Sequence, residues 1–183
     1  IVTMLPNGKI VRDVLLADDV LDALAPNALV IEMSSSAPAD TRDLATALSA
    51  RGIRLVDAPV SGGVKRAVAA TLAIMVGGAD DDVDAALPVL KALGRDVYRT
   101  GAVGSGHAMK AINNFVSGAG VIAAMEAVLL GQAFGIDAGT LVDVLNASSG
   151  RNNATEVKMK QFVLSGSFGS GFALGLMAKD IRT

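Results

Sequence analysis

Residues 101–114 hold the side chains of this chain best suited to chemistry, because a glycine-rich turn is followed by a lysine and two asparagines. Lys110 and Asn114 are four residues apart, so on a helix they lie on one face about one turn apart. Lys110 is also near the helix start, where the helix dipole disfavours a further positive charge and makes the ammonium a readier proton donor. A lysine beside a neutral amide can exchange a proton with a substrate hydroxyl while the amide holds the substrate. The pattern indicates alcohol and carbonyl chemistry.

The turn at residues 61–63 is a second candidate, because its two glycines expose backbone N–H groups to an anion such as a substrate carboxylate. An ordinary strand-exit turn explains the same residues equally well. Two earlier loops, residues 4–7 and 33–38, are also rich in turn formers, although the serines at 34–36 equally suit the cap of a helix. Loops after successive parallel strands share one edge of a sheet, so we expect these three loops to line one crevice.

The elements that must position these residues change character near residue 101. Short apolar runs with strand character alternate with helical patterns in the first part, which predicts a mainly parallel sheet with helices on both faces. The strands are predicted at residues 1–4, 28–33, 53–56, 71–76 and 97–99, and the helices near 10–16, 39–50 and 80–93. The second part is predicted to be all helical, with helices at 105–134, 137–146, 153–164 and 173–182. The first of these helices is apolar nearly all round over 115–130, so it must be covered on most sides.

Composition excludes several classes of function. The chain has 183 residues with 16 basic and 18 acidic side chains and no basic cluster, which argues against a nucleic-acid partner. With no cysteine and one histidine, we expect no metal site and a reducing, cytoplasmic location. The run 111–125 is too short and too polar for a bilayer span, so no membrane partner is expected. The chain starts without Met and stops without a helix-ending signal, so we expect an internal piece of a longer protein.

Two charged residues near these motifs have ordinary interpretations. His107, beside the glycine turn, is predicted to pack or form hydrogen bonds and not to act as a catalyst. Lys179 lies next to Asp180 on a late predicted helix, and the pattern alone favours a solvated surface lysine. Neither residue would be selected as functional from the local sequence.

Three motifs together resemble those of the β-hydroxyacid dehydrogenase family: residues 57–63, the pattern Gly104-x-Gly106-x-x-x-Lys110-x-x-x-Asn114, and residues 172–180. This family includes 3-hydroxyisobutyrate dehydrogenase and tartronate semialdehyde reductase and is related to 6-phosphogluconate dehydrogenase. The resemblance covers the whole chain and implies a Rossmann domain that binds NAD or NADP, followed by a helical domain entered through one long helix. The family's opening Gly-x-Gly-x-x-Gly turn is absent. The chain therefore resembles a truncated member, with a partial NAD(P)-binding domain at 1–101 and a partial helical domain at 102–183.

The resemblance also implies roles for residues at matching motif positions. Lys110 corresponds to the catalytic lysine, and Asn114 corresponds to its substrate-anchoring partner. The carboxylate-binding turn corresponds to Ser61, Gly62 and Gly63. Cofactor contacts correspond to Leu5, Pro6, Ser35 and Lys179, where Ser35 replaces the more usual threonine and keeps its hydroxyl.

One departure from the family pattern concerns the substrate. After the Ser-Gly-Gly turn, where many members have glycine, this chain has Arg66 and, four residues later, Ala70. Arg66 either pairs with a second anionic group of the substrate or faces solvent, so the resemblance does not transfer 3-hydroxyisobutyrate specificity.

The sequence therefore predicts an NAD(P)-dependent oxidoreductase that interconverts a small 3-hydroxy acid and its semialdehyde or oxo acid. We expect a small carboxylate substrate and a homodimer or homotetramer. NAD versus NADP and the favoured direction stay open. One alternative is an inactive truncated fragment or a helical dimerisation module. A second is an imine reductase-like enzyme, against which the presence of Lys110 argues.

Overall fold

The computed structural model describes residues 1–171, 175 and 177–179. Within these residues, six strands form one sheet in the spatial order β1-β2-β3-β5-β4, with β6 paired to β5. Strands β1 to β3 are parallel, and β5 and β6 are parallel to each other. The strands are β1 (Val2–Thr3), β2 (Leu29–Glu32), β3 (Arg54–Asp57), β4 (Val60–Ser61), β5 (Leu72–Gly77) and β6 (Gly94–Gly101). The predicted Rossmann-like architecture is confirmed.

Two antiparallel pairings were not predicted, and the short connection from β3 to β5 explains them. It contains only β4 and the six-residue helix α4 (Gly63–Val68). A parallel return needs a longer crossover, usually a helix that lies across the sheet. The chain turns back instead, so β5 meets β3 antiparallel at Asp57 and Gly77 and pairs antiparallel with β4.

Helices cover both faces of the sheet, as predicted. Successive strand residues point to opposite faces, so Val30 and Leu55 pack with α1 (Gly8–Leu15) and α3 (Pro38–Ser49). Their neighbours Ile31 and Val56 pack against α5 (Asp80–Leu93) on the other face. Burying each such aliphatic side chain stabilises the fold by about 1.5–3 kcal/mol. The helices packed on the two faces hold the sheet in place, and with it the edge at which β1, β2 and β3 end.

Two short helices, α2 (Asp18–Ala23) and α4, were not predicted from the sequence. Neither contains a buried residue. Without a buried stripe there is no apolar periodicity to detect, so their sequences carry no helical signal.

The carboxy-terminal part is helical in its described residues. It comprises α6 (Ser105–Ala133), α7 (Ala138–Ala147) and a π-helix, Ala154–Leu164. The chain divides into two compact units, Ile1–Ile112 and a unit that begins at Asn113, so the division falls inside α6. The predicted domain limits, 1–101 and 102–183, stay a prediction. Most of the helix predicted at 173–182 lies outside the described residues.

The second unit has a small core of its own. Ala124 and Val128 of α6 pack with Val142 of α7 and with Ala154 and Met159 of the π-helix. The sequence predicted a helix at 153–164 but not its wider π geometry, in which backbone hydrogen bonds span one more residue than in an α-helix.

Helix α6 is the one described helix long and apolar enough to cross a bilayer by length and composition, and 22% of its most apolar window is buried. Core helices of soluble proteins pass the same test. Lys110 and Glu126 interrupt its apolar surface. The absence of a membrane partner stays a prediction.

Candidate functional site at the carboxyl edge of the sheet

The loops after β1 and β2 lie side by side at the carboxyl edge of the parallel strands. The backbone N–H of Leu5 donates to the Ser34 hydroxyl oxygen at 2.8 Å, which ties the two loops together. Leu5 and Ser35 are half-buried and Pro6 is exposed. A side chain at Gly8 would lie within 2.9 Å of the Ser36 Cβ, so the missing side chain lets α1 approach the second loop.

This arrangement fits the cofactor that the resemblance implies. Dinucleotides bind in α/β sheets beyond the carboxyl ends of the strands. The structure brings Leu5, Pro6 and Ser35 to that edge, on two loops that share a hydrogen bond. These residues would supply the part of an NAD(P) site that this chain contains.

The predicted carboxylate-binding turn follows β4, which pairs with β5 beyond the point where Asp57 meets Gly77. Ser61 ends β4 and is half-buried, while Gly62 and Gly63 are exposed. Both glycines have positive φ, +138° at Gly62 and +65° at Gly63. L side chains rarely adopt these conformations, so the turn requires glycine at both positions.

Arg66 is exposed on α4, and its aliphatic part lies over the turn. A Cβ placed on Gly62 would be 2.5 Å from Arg66 Cδ. The side chain therefore covers the Ser-Gly-Gly turn with its stem, while the residue as a whole remains accessible to solvent.

The start of α6 is fixed to the sheet by Asp57. One carboxylate oxygen of Asp57 accepts the Gly104 N–H at 2.7 Å, and the other accepts the His107 N–H at 2.8 Å. Gly104 has φ +88°, and a Cβ on Gly106 would lie 2.4 Å from the Met75 carbonyl oxygen. The Gly104-x-Gly106 spacing is therefore explained by a left-handed turn followed by close contact between helix and sheet.

Lys110 lies in the second turn of α6, within the first unit, and is half-buried. Asn114 is on the same helix, half-buried, and its amide oxygen accepts a hydrogen bond from Asn113 at 3.2 Å. The four-residue spacing therefore falls on a continuous helix, as predicted. Lys179 is half-buried and helical in the second unit. The catalytic, substrate-binding and cofactor-binding roles of these residues stay predictions.

A buried charged cluster behind this edge was only partly foreseen. Glu32 ends β2, Asp57 ends β3 and His107 lies in the first turn of α6, with 1%, 0% and 1% exposure. His107 forms hydrogen bonds as the sequence analysis expected, whereas Asp57 was seen only as part of a turn. Glu32 was missed, although a carboxylate directly after three apolar strand residues is a recognisable signal.

The cluster shifts the pKa values of its members. Burial alone would raise the pKa of Glu32, but the hydrogen bond and charge of His107 and the bonds from Ser34 bring it below its usual value. Burial raises the pKa of Asp57, and the N–H donors at Gly104 and His107 offset this only in part. Burial alone would lower the pKa of His107, but Glu32 and Asp57 raise it above its usual value. These directions favour the ionised form of Glu32 and the protonated form of His107.

No group of three or more side chains suited to hold a metal ion is found among the described residues. The predicted absence of a metal stays a prediction for the complete protein.

The sheet edge, the paired loops and the start of α6 held by Asp57 are typical of one class of protein, the dinucleotide-binding α/β proteins. Residues 1–104 match the NAD binding domain of 6-phosphogluconate dehydrogenase. Residues 104–183 match the NAD-binding region of NADP-dependent 3-hydroxyisobutyrate dehydrogenase. The chain belongs to the β-hydroxyacid dehydrogenase family, and NAD or NADP is confirmed as the cofactor class.

Individual relatives agree with this assignment. The 2-(hydroxymethyl)glutarate dehydrogenase of Eubacterium barkeri is 41% identical over 182 residues, which cover 99% of this chain and 60% of that protein. The 3-hydroxyisobutyrate dehydrogenase of Pseudomonas aeruginosa is 38% identical, with 99% and 63% coverage. The solved structure of Mycobacterium tuberculosis 3-hydroxyisobutyrate dehydrogenase with L-serine gives a TM-score of 0.88 at 38% identity, covering 98% of this chain and 63% of that one. The chain thus spans about 60% of the length of the curated relatives it matches.

Proposed function

We propose that the complete protein is an NAD(P)-dependent oxidoreductase that interconverts a small 3-hydroxy acid and its semialdehyde or oxo acid. The observation that carries this proposal is the attachment of α6 to the sheet edge through Asp57, at 2.7 Å to the Gly104 N–H and 2.8 Å to the His107 N–H. Lys110 follows His107 by three residues, so the same attachment holds the helical turn that bears it. The paired loops with Leu5 and Ser35 end at this edge.

In the proposed mechanism, Lys110 is the general acid and base. Its Nζ takes the proton of the substrate hydroxyl during oxidation and returns it to the carbonyl oxygen during reduction. The bound nicotinamide supplies the hydride acceptor or donor. The backbone N–H groups of the turn at Ser61, Gly62 and Gly63 hold the substrate carboxylate, and Asn114 anchors the substrate. Lys179 contributes to the cofactor side of the site.

The substrate class we favour carries an anionic group in addition to the carboxylate held by the turn. Arg66 supports this choice, because its stem lies directly over Gly62 and the residue is exposed. The relative from Eubacterium barkeri is named for a glutarate, a dicarboxylate. A guanidinium next to the carboxylate-binding turn suits a second carboxylate.

The complete protein tests the function directly. We expect NADH- or NADPH-dependent reduction of small carboxylate semialdehydes and the reverse oxidation of 3-hydroxy acids, followed by nicotinamide absorbance. Reduction of a cyclic imine in place of these carbonyl substrates would favour the imine reductase alternative. Binding of neither dinucleotide would contradict the proposal and favour a dimerisation module.

We also propose a homodimer or homotetramer in which the helical region forms the interface. Large apolar side chains of this region are exposed, with Phe115 at 61%, Val116 at 64%, Leu129 at 68% and Phe134 at 78%. Such surfaces favour burial against a partner. Sedimentation at micromolar concentration should give at least a dimer, and Leu129→Glu should shift it toward smaller species. A monomeric wild-type protein would contradict this proposal.

The absence of cysteine from the 183 residues supports a reducing, cytoplasmic location, which we propose for the protein. Immunolabelling of fractionated cells should find it in the soluble cytoplasmic fraction, and recovery elsewhere would contradict the proposal.

A further inference from the structure

The cluster of Glu32, Asp57 and His107 is buried behind the proposed site and touches two of its elements. Glu32 accepts the Ser34 N–H at 2.7 Å and the Ser36 hydroxyl at 3.1 Å, both in the loop after β2. Asp57 accepts the two N–H groups that start α6. His107 lies between the carboxylates, with Nε2 at 3.0 Å from Glu32 and Nδ1 at 3.5 Å from Asp57.

The hydrogen bonds around the His107 ring determine where its protons are. The Thr41 hydroxyl lies 3.0 Å from the Ala37 carbonyl, to which it donates, and 2.9 Å from His107 Nδ1, where the direction of the bond depends on the tautomer of the ring. Nε2 faces the Ser34 carbonyl oxygen at 2.9 Å and the Glu32 carboxylate at 3.0 Å. Both of these partners are acceptors. Nε2 therefore carries a proton, and with the Thr41 hydroxyl donating to Ala37 so does Nδ1, which is the imidazolium form of His107.

Charge balance agrees with this protonation state. A buried carboxylate requires a partner of opposite charge and donors for its lone pairs. Glu32 faces His107, Ser34, Ser36 and, at 3.4 Å, the Thr3 hydroxyl. From α3, the exposed Arg42 reaches the Gly104 turn, and Asp40 lines a small void together with Glu32 and Thr41. His107 is the basic group buried among these described residues.

We propose that His107 is a positioning residue which, as an imidazolium, joins the cofactor loop to the catalytic helix and so sets the spacing of Ser35 and Lys110. The connection is continuous. Ser34 accepts from Leu5 through its hydroxyl and from His107 through its carbonyl, so both loops are held by one ring. The His107 backbone is bonded to Asp57, which places the same residue at the start of α6. The inference rests on the proposed function, because Ser35 and Lys110 matter only if they serve dinucleotide chemistry.

Nuclear magnetic resonance of the complete protein labelled with ¹⁵N-histidine tests the charge. The His107 signals are assigned by their loss in His107→Gln. We expect both ring nitrogens at imidazolium shifts at neutral pH, retained to higher pH than in a free histidine. Neutral-imidazole shifts at pH 7 would overturn the proposal, whether or not the enzyme activity is found.

Kinetics of His107→Gln tests the positioning. Glutamine keeps one N–H donor for the Ser34 carbonyl and removes the charge. We expect a higher KM for NADH or NADPH together with a lower kcat, and a loss of roughly 10- to 100-fold in kcat/KM, the scale of a misplaced site. Normal kinetic constants in a folded but less stable variant would show a purely structural role and overturn the proposal.

Two further variants keep the test decisive. Glu32→Gln/His107→Gln removes both charges, so it should fold even if the single variant leaves Glu32 uncompensated. Asp22 is exposed and its carboxylate lies 3.0 Å from Arg51, so Asp22→Asn is the matched surface control and should leave the kinetic constants unchanged.

If wild-type protein turns over no tested substrate, fluorescence titration with NADH and NADPH still compares the variants. Wild-type binding with weaker binding by His107→Gln would support positioning, and equal binding would overturn it. Wild-type protein that binds neither dinucleotide would overturn both this inference and the proposed function.

Discussion

The two ends of α6 differ in what holds them. At its start, Asp57 bonds two backbone N–H groups, and Gly106 lets the helix approach the Met75 carbonyl. Further along, Phe115 and Leu129 are more than half exposed. Buried charged hydrogen bonds are directional, so they fix the position of a helix, whereas apolar burial is not directional. Precise positioning is therefore concentrated at the start of α6, where the proposed chemistry occurs, and the exposed apolar surface further along suits contact with a partner.

Removing the Asp57 carboxylate should have the largest effect, because it breaks the attachment of the fixed end. Asp57→Ala leaves two buried N–H donors and His107 without their acceptor. We expect the free energy of unfolding of the complete protein to fall by about 3–5 kcal/mol, the range for a broken buried charge pair. Urea denaturation followed by circular dichroism measures it.

The control for this variant is Asp22→Ala, which removes an exposed carboxylate that bonds Arg51 at 3.0 Å. Such surface pairs contribute about 0–1 kcal/mol. Equal losses in the two variants would show that the start of α6 is not held by Asp57.

Replacing Lys110 tests the chemistry at the fixed end without removing its attachment. Lys110→Ala in the complete protein should lower kcat by roughly 10²-fold or more, the usual range for loss of a general acid or base. Dinucleotide affinity should change little. Steady-state kinetics and fluorescence titration measure the two quantities. Lys160→Ala, an exposed lysine 2.6 Å from Asp143, is the control, and near-normal turnover in Lys110→Ala would remove this lysine from the mechanism.

Arg66 is an exposed charge beside the Ser-Gly-Gly turn, and its replacement tests how the protein selects its substrate. Arg66→Gly should leave kcat/KM for 3-hydroxy monocarboxylates intact and lower it for substrates with an additional carboxylate or hydroxyl. The expected loss is roughly 10- to 100-fold, the scale of a charge-assisted hydrogen bond. Lys65→Gly places the same helix-weakening residue next to it and serves as the control. If the ratio of the two substrate classes stays the same in Arg66→Gly, Arg66 belongs to the solvated surface.

Local patterns in the sequence predicted the parts of the fold that have a strong repeat. The apolar runs predicted β2, β3 and β5. The periodic spacing of Val83, Leu87, Leu90 and Leu93 predicted α5, in which Val83 and Leu90 are buried and Leu93 is exposed. The helices α2 and α4 bury no residue and left no such signal. The reversal at Asp57 and Gly77 depends on how a short connection folds back, which no local pattern records.

The site was predictable where a motif specifies backbone geometry and was not where distant residues combine. The positive φ of Gly62, Gly63 and Gly104 explains why glycine occupies these motif positions. Glu32 pairs with His107 although the two residues are 75 positions apart in the sequence (107 − 32 = 75). Such a pair follows from sheet register and helix docking together, so each residue alone reads as an ordinary strand end or helix start.

The buried groups at the start of α6 should also give the stability of the protein a modest dependence on pH. The pKa of His107 is raised in the folded state by Glu32 and Asp57 against the opposing effect of burial. Between the unfolded pKa of about 6.5 and the higher folded value, the native state binds more protons than the unfolded state. Its stabilisation is therefore complete below about pH 6.5 and is lost as the pH rises through the folded pKa. The slope of the unfolding free energy is at most about 1.4 kcal/mol per pH unit for one proton.

Glu32 acts in the other direction, because its pKa is lowered in the folded state. Its contribution to the unfolding free energy is present above about pH 4.5 and is lost as the pH falls through its folded pKa. Urea midpoints of the complete protein measured across this range should decline above about pH 6.5 in the wild type and decline less in His107→Gln. Parallel profiles of the two proteins would show that the buried ring does not titrate with unfolding, and the start of α6 would then be held by the Asp57 bonds without a charge on His107.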